Sequence, residues 1–202
     1  MLDGAVRQRL DPLLDRIGQK LALRGVTANT VTIAGLFAGL VAAALIATGH
    51  FWAGLILLLA SRLCDGLDGA VARVNGKTDL GGYLDIVLDF AFYGAIPFAF
   101  VVFDPARNGL CGALLILSFY INGSSFLAYA IMAEKRKLTT ETRGVKSLYF
   151  TTGLAEATET IVVFVAFCLF PAWFPQLAAI FAVICFYTAL SRIVQAWKSF
   201  GD

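Results

Sequence analysis

The stretch Phe51-Trp-Ala-Gly-Leu-Ile-Leu-Leu-Leu-Ala-Ser-Arg62-Leu-Cys-Asp65-Gly-Leu-Asp68-Gly-Ala-Val-Ala72 starts as an unbroken apolar run and ends with charged residues set among glycines and alanines. As a helix, a run of this length crosses ~30 Å of hydrocarbon. The same reading holds on both sides of it. Residues 30–48, 83–103, 108–132, 148–170 and 173–197 are apolar runs of comparable length. The sequence therefore predicts an all-α integral membrane fold of six transmembrane helices. Composition agrees: of 202 residues, 59% are hydrophobic and 15% charged, against roughly 45–50% and 25% in an ordinary soluble domain. The mean hydropathy is +0.78. Six spans and short loops leave no room for a second soluble domain, a disulfide-built secreted fold or a nucleic-acid module, so no nucleic-acid partner is expected.

Ahead of the first run, Leu2, Val6, Leu10, Leu13, Leu14, Ile17 and Leu21 recur every three or four residues, interleaved with Arg7, Arg9, Arg16 and Lys20. That pattern predicts an amphipathic helix lying in the membrane interface over residues 1–26, with a kink expected at Pro12. It lacks the continuous apolar core and the small-residue cleavage site of a signal peptide. Two roles fit the segment: a plain membrane anchor, or the floor of a site that faces the cytoplasm.

Basic residues set the orientation. With a cytoplasmic N-terminus, Arg7, Arg9, Arg16, Lys20, Arg24, Arg73, Lys77, Lys135, Arg136, Lys137, Arg143, Lys146 and Lys198 fall on the cytoplasmic side and only Arg107 on the other. The positive-inside rule then puts the N-terminus on the cytoplasmic side, and the expected location is the cytoplasmic (inner) membrane. The net charge of +2 averages over two unlike faces, and the basic one suits anionic headgroups or a phosphorylated substrate. Cys64, Cys111, Cys168 and Cys185 show no C-x-x-C spacing, so neither a zinc site nor a disulfide framework is supported. The single histidine, His50, falls at the outer end of the first span, and no histidine pair exists for transfer through a phosphohistidine.

Ionised groups inside a span are expensive and mark function. Asp65 and Asp68 are three apart at the end of the second run, and Asp85 and Asp89 are four apart at the start of the third. Each pair shares one helix face. The glycine-bearing loop 76–82 folds the two helices into an antiparallel hairpin, which brings both pairs together near the cytoplasmic end. Gly66, Gly69 and Gly81 allow close approach of a helix or a ligand. Four carboxylates converging there need counter-charge. Divalent metal supplies it, and the all-oxygen donor set selects magnesium, manganese or calcium over zinc. Two such ions with Arg73 nearly neutralise the aspartates and a bound diphosphate together, which suits phosphoryl chemistry at a paired-metal centre. The purely structural alternative has the aspartates pairing with Arg62, Arg73 and Lys77 to hold the bundle together.

This pattern strongly resembles the CDP-alcohol phosphatidyltransferase family, whose signature is D-x-x-D-G-x-x-A-R, seven or eight residues, then G-x-x-x-D-x-x-x-D. Asp65, Asp68, Gly69, Ala72, Arg73, Gly81, Asp85 and Asp89 fill every specified position. The resemblance extends to the expected architecture and to Asn29-Thr-Val-Thr32, which is similar to the family's P-N-x-x-T with Ala28 in place of proline. It implies that residues 27–202 form the catalytic domain. It further implies that Asp65, Asp68, Asp85 and Asp89 hold two Mg2+ or Mn2+ ions, and that Asp89 is the catalytic general base. Donor contacts fall to Asn29, Thr32, Gly69, Arg73 and Thr78. The donor implied is CDP-diacylglycerol, the default over an archaeol-type donor that the sequence alone does not separate from it, and the assembly implied is a homodimer.

A small polar alcohol acceptor should be bound by polar residues of the later spans at the same depth. The candidates are Lys135, Arg143, Lys146, Glu156 and Arg192, with Arg136, Lys137 and Glu159 nearby. The basic ones suit glycerol 3-phosphate or an inositol phosphate; Glu156 and Glu159 would instead face an amine or a hydroxyl-rich acceptor. The alternative from another class is a small membrane transporter with the aspartates as a cation site. Against it stand the lack of internal repeats and the crowding of the carboxylates toward one side of the membrane.

Overall fold

A computed structural model describes residues 2–136, 155 and 157–201, with residues 2–10 described as backbone only. Its elements are α1 (Leu2–Leu23), α2 (Ala28–Ala47), α3 (Phe51–Asn75), α4 (Asp79–Phe103), α5 (Pro105–Lys135), α6 (Ala157–Leu169) and α7 (Phe174–Phe200), with one 3₁₀ turn at Pro171–Trp173. No strand occurs among the described residues.

Local chemistry sets the boundaries. Thr27 caps α2 by accepting from the Thr30 N–H at 3.2 Å, and Thr78 caps α4 by accepting from the Gly81 N–H at 3.0 Å. Asp104 caps α5 by accepting from the Arg107 N–H at 3.1 Å, with Pro105 opening the helix where its missing N–H goes unmissed. The turn from α3 to α4 passes through Gly76 at φ 93°, a left-handed value that favours glycine. Asn75 ties the same turn to the α1–α2 connection by donating to the Val26 carbonyl at 3.1 Å. α1 runs through Pro12 as one helix.

Among the described residues, four helices are long and apolar enough to cross a membrane: α2, α4, α5 and α7 together with its preceding 3₁₀ turn. Of the six spans expected, α3 has the length, but Arg62, Asp65 and Asp68 interrupt its apolar character. α6 has 13 described residues; residues 148–154 and 156 of the expected span 148–170 lie outside the described residues. α2 packs on α3 and α4, α4 on α5, α5 on α7, and α1 along α3. Small residues make these crossings close. A Cβ on Gly35 would lie 3.0 Å from the Cβ of Cys64, and one on Gly39 would press on Phe92 and Ser61. This is how helices associate in lipid, where packing contacts replace the hydrophobic effect.

At the end of the bundle reached by the N-terminus of α3 and the C-terminus of α4, aromatic rings fill the core. Phe100 stacks on Phe174 at 4.7 Å between centroids, and Phe167 meets Phe174 edge-on at 4.7 Å. Polar side chains gather at the other end.

Candidate active site

The last four turns of α3 and the first three of α4 run antiparallel through the Gly76 turn, so Asp65 and Asp68 on one helix face Asp85 and Asp89 on the other. Carboxylate oxygens of Asp65, Asp68 and Asp85 all lie within 4.8 Å of one another. Exposure grades across the three: Asp68 is buried, Asp65 half-buried and Asp85 exposed. Thr32 of α2 donates its hydroxyl to Asp68 at 2.6 Å, with the Ala28 carbonyl at 3.0 Å as its helix-internal alternative. A cleft opens over the cluster, lined by Thr32, Gly35 and Leu36 of α2, Ser61, Arg62, Asp65 and Asp68 of α3, and Asp85, Leu88 and Asp89 of α4. Three carboxylates from two helices, with no nitrogen or sulfur donor among them, fit a hard divalent cation.

Asp89 stands apart from that group of three. Its Oδ1 forms an ion pair with the Arg62 guanidinium, which also lies 3.6 Å from Asp65. Arg62 is nearly buried: its guanidinium carbon sits 3.7 Å over the Phe92 ring, and it donates to the Ser61 hydroxyl at 3.2 Å. The structural alternative is thus realised in part, by Arg62. Arg73 turns away to Asp15 of α1, donating from Nε at 3.1 Å and from Nη2 at 2.6 Å.

α1 lies against the α3 side of the site. A Cβ on Gly18 would strike Ala70, and one on Gly66 would come 2.9 Å from Leu14. Gly66 thus admits a helix. Gly69 keeps an open face, where an added Cβ would meet only Arg73 Nη1 at 3.7 Å. Asn29 and Thr78 meet over Gly81, whose added Cβ would lie 3.1 and 3.0 Å from their side-chain oxygens. Of the residues expected to contact the donor, only Thr32 lines the cleft.

The acceptor candidates scatter. Lys135 is exposed at the end of α5. Arg192 is buried in α7 and donates from Nη1 to the Asn122 side chain at 2.6 Å and to its carbonyl at 3.1 Å. Arg143, Lys146 and Glu156 lie outside the described residues.

Sequence reasoning gave Arg62 only a packing role and overlooked Asp15. The signal for Arg62 was present, because an arginine three residues before Asp65 in an apolar run is as costly as the aspartates.

Residues 25–193 match the model of the CDP-alcohol phosphatidyltransferase family. The chain is 44% identical over 193 residues to the inner membrane protein YnjF of Escherichia coli, covering 96% of this chain and 94% of that one. It is 30% identical over 195 residues to the archaetidylinositol phosphate synthase of Pyrococcus horikoshii, covering 96% and 95%. Its fold is similar to that of the phosphatidylinositol phosphate synthase of Mycobacterium tuberculosis solved with CDP-DAG bound, with TM-score 0.67, 22% identity, and 92% of this chain and 94% of that one covered. The same enzyme in complex with manganese and citrate gives TM-score 0.66 at 24% identity, covering 91% and 88%. A signature filled at every position, a carboxylate cluster at one end of a bundle of apolar helices, and a family match across most of its length lead to one conclusion: the chain is an integral membrane protein of the CDP-alcohol phosphatidyltransferase family.

Proposed function

We propose that this phosphatidyltransferase moves a phosphatidyl group from CDP-diacylglycerol to a hydroxyl of an inositol phosphate and releases CMP. The observation that carries the reading is the meeting of Asp65, Asp68 and Asp85 beside a cleft at one end of a membrane bundle. A donor with its nucleotide in water and its acyl chains in lipid would reach such a place. The acceptor class is supported by the archaetidylinositol phosphate synthase relative.

The roles are those that the family signature implies for these positions. Asp65, Asp68, Asp85 and Asp89 would hold two Mg2+ or Mn2+ ions. The ions supply neutralisation and polarisation of the donor diphosphate. Asp89 takes the proton of the acceptor hydroxyl while that oxygen forms its bond to the lipid-linked phosphorus and the bond to the CMP oxygen breaks in line. Thr32 keeps Asp68 oriented. Arg73 binds the diphosphate, Gly69 lets the nucleotide approach the backbone, and Asn29 and Thr78 complete the donor site at the start of α4. Lys135, Arg143, Lys146, Glu156 and Arg192 serve the acceptor.

α3 and α6 complete six spans, because charges confined to one end of α3 lie near the interface, where they cost less than at the bilayer centre. The N-terminal helix over residues 1–26 lies on the cytoplasmic face, the site opens to the cytoplasm, and residues 27–202 form the catalytic domain of a homodimer in the inner membrane.

The test is CMP release by purified protein given CDP-diacylglycerol and Mn2+ with inositol phosphate, glycerol 3-phosphate, serine, glycerol or ethanolamine. Inositol phosphate should yield CMP far above an Asp89→Asn control. No acceptor exceeding that control would overturn the reading, and glycerol 3-phosphate alone doing so would reassign the acceptor.

A further inference from the structure

Arg192 is a charged side chain sunk into α7, only 8% exposed, and Asn122 of α5 receives it. Arg192 Nη1 donates to the Asn122 side-chain oxygen at 2.6 Å and to the Asn122 carbonyl at 3.1 Å. One turn along α5, the Phe126 ring lies 5.5 Å from the guanidinium carbon. Ser125 donates its hydroxyl to the same Asn122 carbonyl at 2.7 Å. The next residue of α5 fixes the depth of this arrangement. A Cβ on Gly123 would strike the Phe90 ring of α4, and Phe90 directly follows Asp89. Asn122 and Arg192 therefore lie at the level of the carboxylates, one helix over from them. An arginine and an amide inside two apolar spans cost insertion energy that packing alone does not require. The partner is also of a particular kind. An aspartate at position 122 would neutralise the guanidinium, whereas an amide oxygen orients it and adds no negative charge to compete with an anionic substrate.

We propose that Asn122 is a positioning residue for the acceptor: by accepting twice from one nitrogen of Arg192 it holds that guanidinium in one orientation for the phosphate of the incoming alcohol, and so favours a phosphorylated acceptor. The proposal rests on the reading of inositol phosphate as the acceptor, with Arg192 among the residues that serve it. A guanidinium is a rigid planar fork, and its match to a phosphate depends on the angle at which the fork is presented. A side chain as long as arginine would otherwise sample several angles along the α5–α7 seam. Fixing it from the neighbouring helix removes that ordering from the binding step, which tightens the acceptor and leaves the donor untouched.

Full-length protein in detergent carrying Asn122→Asp, Asn122→Gln, Arg192→Gln or the Asn122→Asp/Arg192→Gln pair tests this. CMP release is followed at varied inositol phosphate and at varied CDP-diacylglycerol, with thermal melting alongside. Asn122→Asp keeps an oxygen at the same place and adds a charge that competes for the fork. It should raise KM for inositol phosphate about 30-fold, within the range of a hydrogen bond to a charged group, while KM for CDP-diacylglycerol and kcat each stay within about threefold. A role confined to packing predicts no such rise, since an aspartate supports a buried guanidinium at least as well as an asparagine does. Asn122→Gln, which moves the amide by one methylene, should raise the same KM by about tenfold or less. In the Arg192→Gln background, Asn122→Asp should add little, as expected of two residues acting on one ligand. A wild-type KM for inositol phosphate in Asn122→Asp, a rise in KM for both substrates together, or an equal rise with and without Arg192 would overturn the proposal. Should Asn122→Asp lose the wild-type melting transition, Asn122→Gln decides: an unchanged KM for inositol phosphate contradicts the proposal, and a raised one with the donor's KM intact supports it. If wild type makes no CMP from inositol phosphate, or Arg192→Gln leaves its KM unchanged, the acceptor reading fails and the proposal falls with it, a result distinct from an error confined to Asn122.

Discussion

The two ends of α3 solve opposite problems. From Phe51 to Ala60 the helix offers lipid and its neighbours nothing but apolar surface. Its outward neighbours there are rings: Phe51 stacks on Phe100 at 5.7 Å and meets Phe103 edge-on at 4.9 Å. From Ser61 onward the same helix carries Arg62, Asp65, Asp68 and Arg73, and these charges form ion pairs and hydrogen bonds, Arg62 to Asp89, Asp68 to Thr32 and Arg73 to Asp15, with Arg62 also lying over the Phe92 ring. One end is held by dispersion and the other by directed bonds. The comparison teaches that this bundle separates stability from chemistry along its axis, so substitutions at the two ends should fail in different ways.

Phe100→Ala should have the largest effect on stability. Phe100 is fully buried and touches Phe51, Phe167 and Phe174, so its removal should destabilise the fold by about 3 kcal/mol. Thermal unfolding in detergent would register this, while kcat of the protein that stays folded remains near wild type. A large loss of kcat without a shift in melting would break the division between the ends. Thr32→Val acts in the opposite sense. It keeps the shape and deletes the hydroxyl on Asp68, and Mn2+ binding measured by paramagnetic resonance should weaken about tenfold with little change in melting. Asp15→Ala should do least. Both partners of the Arg73 pair are about half exposed, at 46% and 47%, and such pairs are worth only about 0.2–1 kcal/mol. KM for CDP-diacylglycerol should rise about threefold or less, and the difference should shrink as salt is added. A fall in KM would mean that Asp15 competes with the diphosphate for Arg73.

Most of the fold was legible because lipid imposes a simple rule: a helix that must satisfy its own backbone needs a long apolar run. α2, α4, α5 and α7 follow from that rule. α3 shows where it becomes ambiguous, since the residues that make the site are the ones that spoil the apolar count. The convergence of Asp65, Asp68 and Asp85 was legible too, through spacings of three and four residues on two helices joined by a glycine turn. The separate position of Asp89 was not, because it depends on the rotation of α4 against α3 and on the Phe92 ring below the guanidinium. Those are packing facts with no periodic trace in the chain. Asp15 was hidden for a related reason: 58 residues separate it from Arg73, and only the docking of α1 through Gly18 and Gly66 brings the two together. Arg192 was noticed for its depth, yet depth alone could not tell its bonds to Asn122 from a place in the cleft.

The central claim is that the carboxylate cluster holds divalent metal for transfer from a CDP-linked lipid. The most direct measurement follows CMP and the lipid product together from CDP-diacylglycerol and inositol phosphate, in wild-type protein and in Asp68→Ala, before chelation, after chelation and after Mn2+ is restored. The account predicts CMP and lipid product in equal amounts from wild type, none after chelation, recovery with Mn2+, and none from Asp68→Ala under any condition despite an unchanged melting transition. CMP release that survives chelation, or that persists in Asp68→Ala, would contradict it.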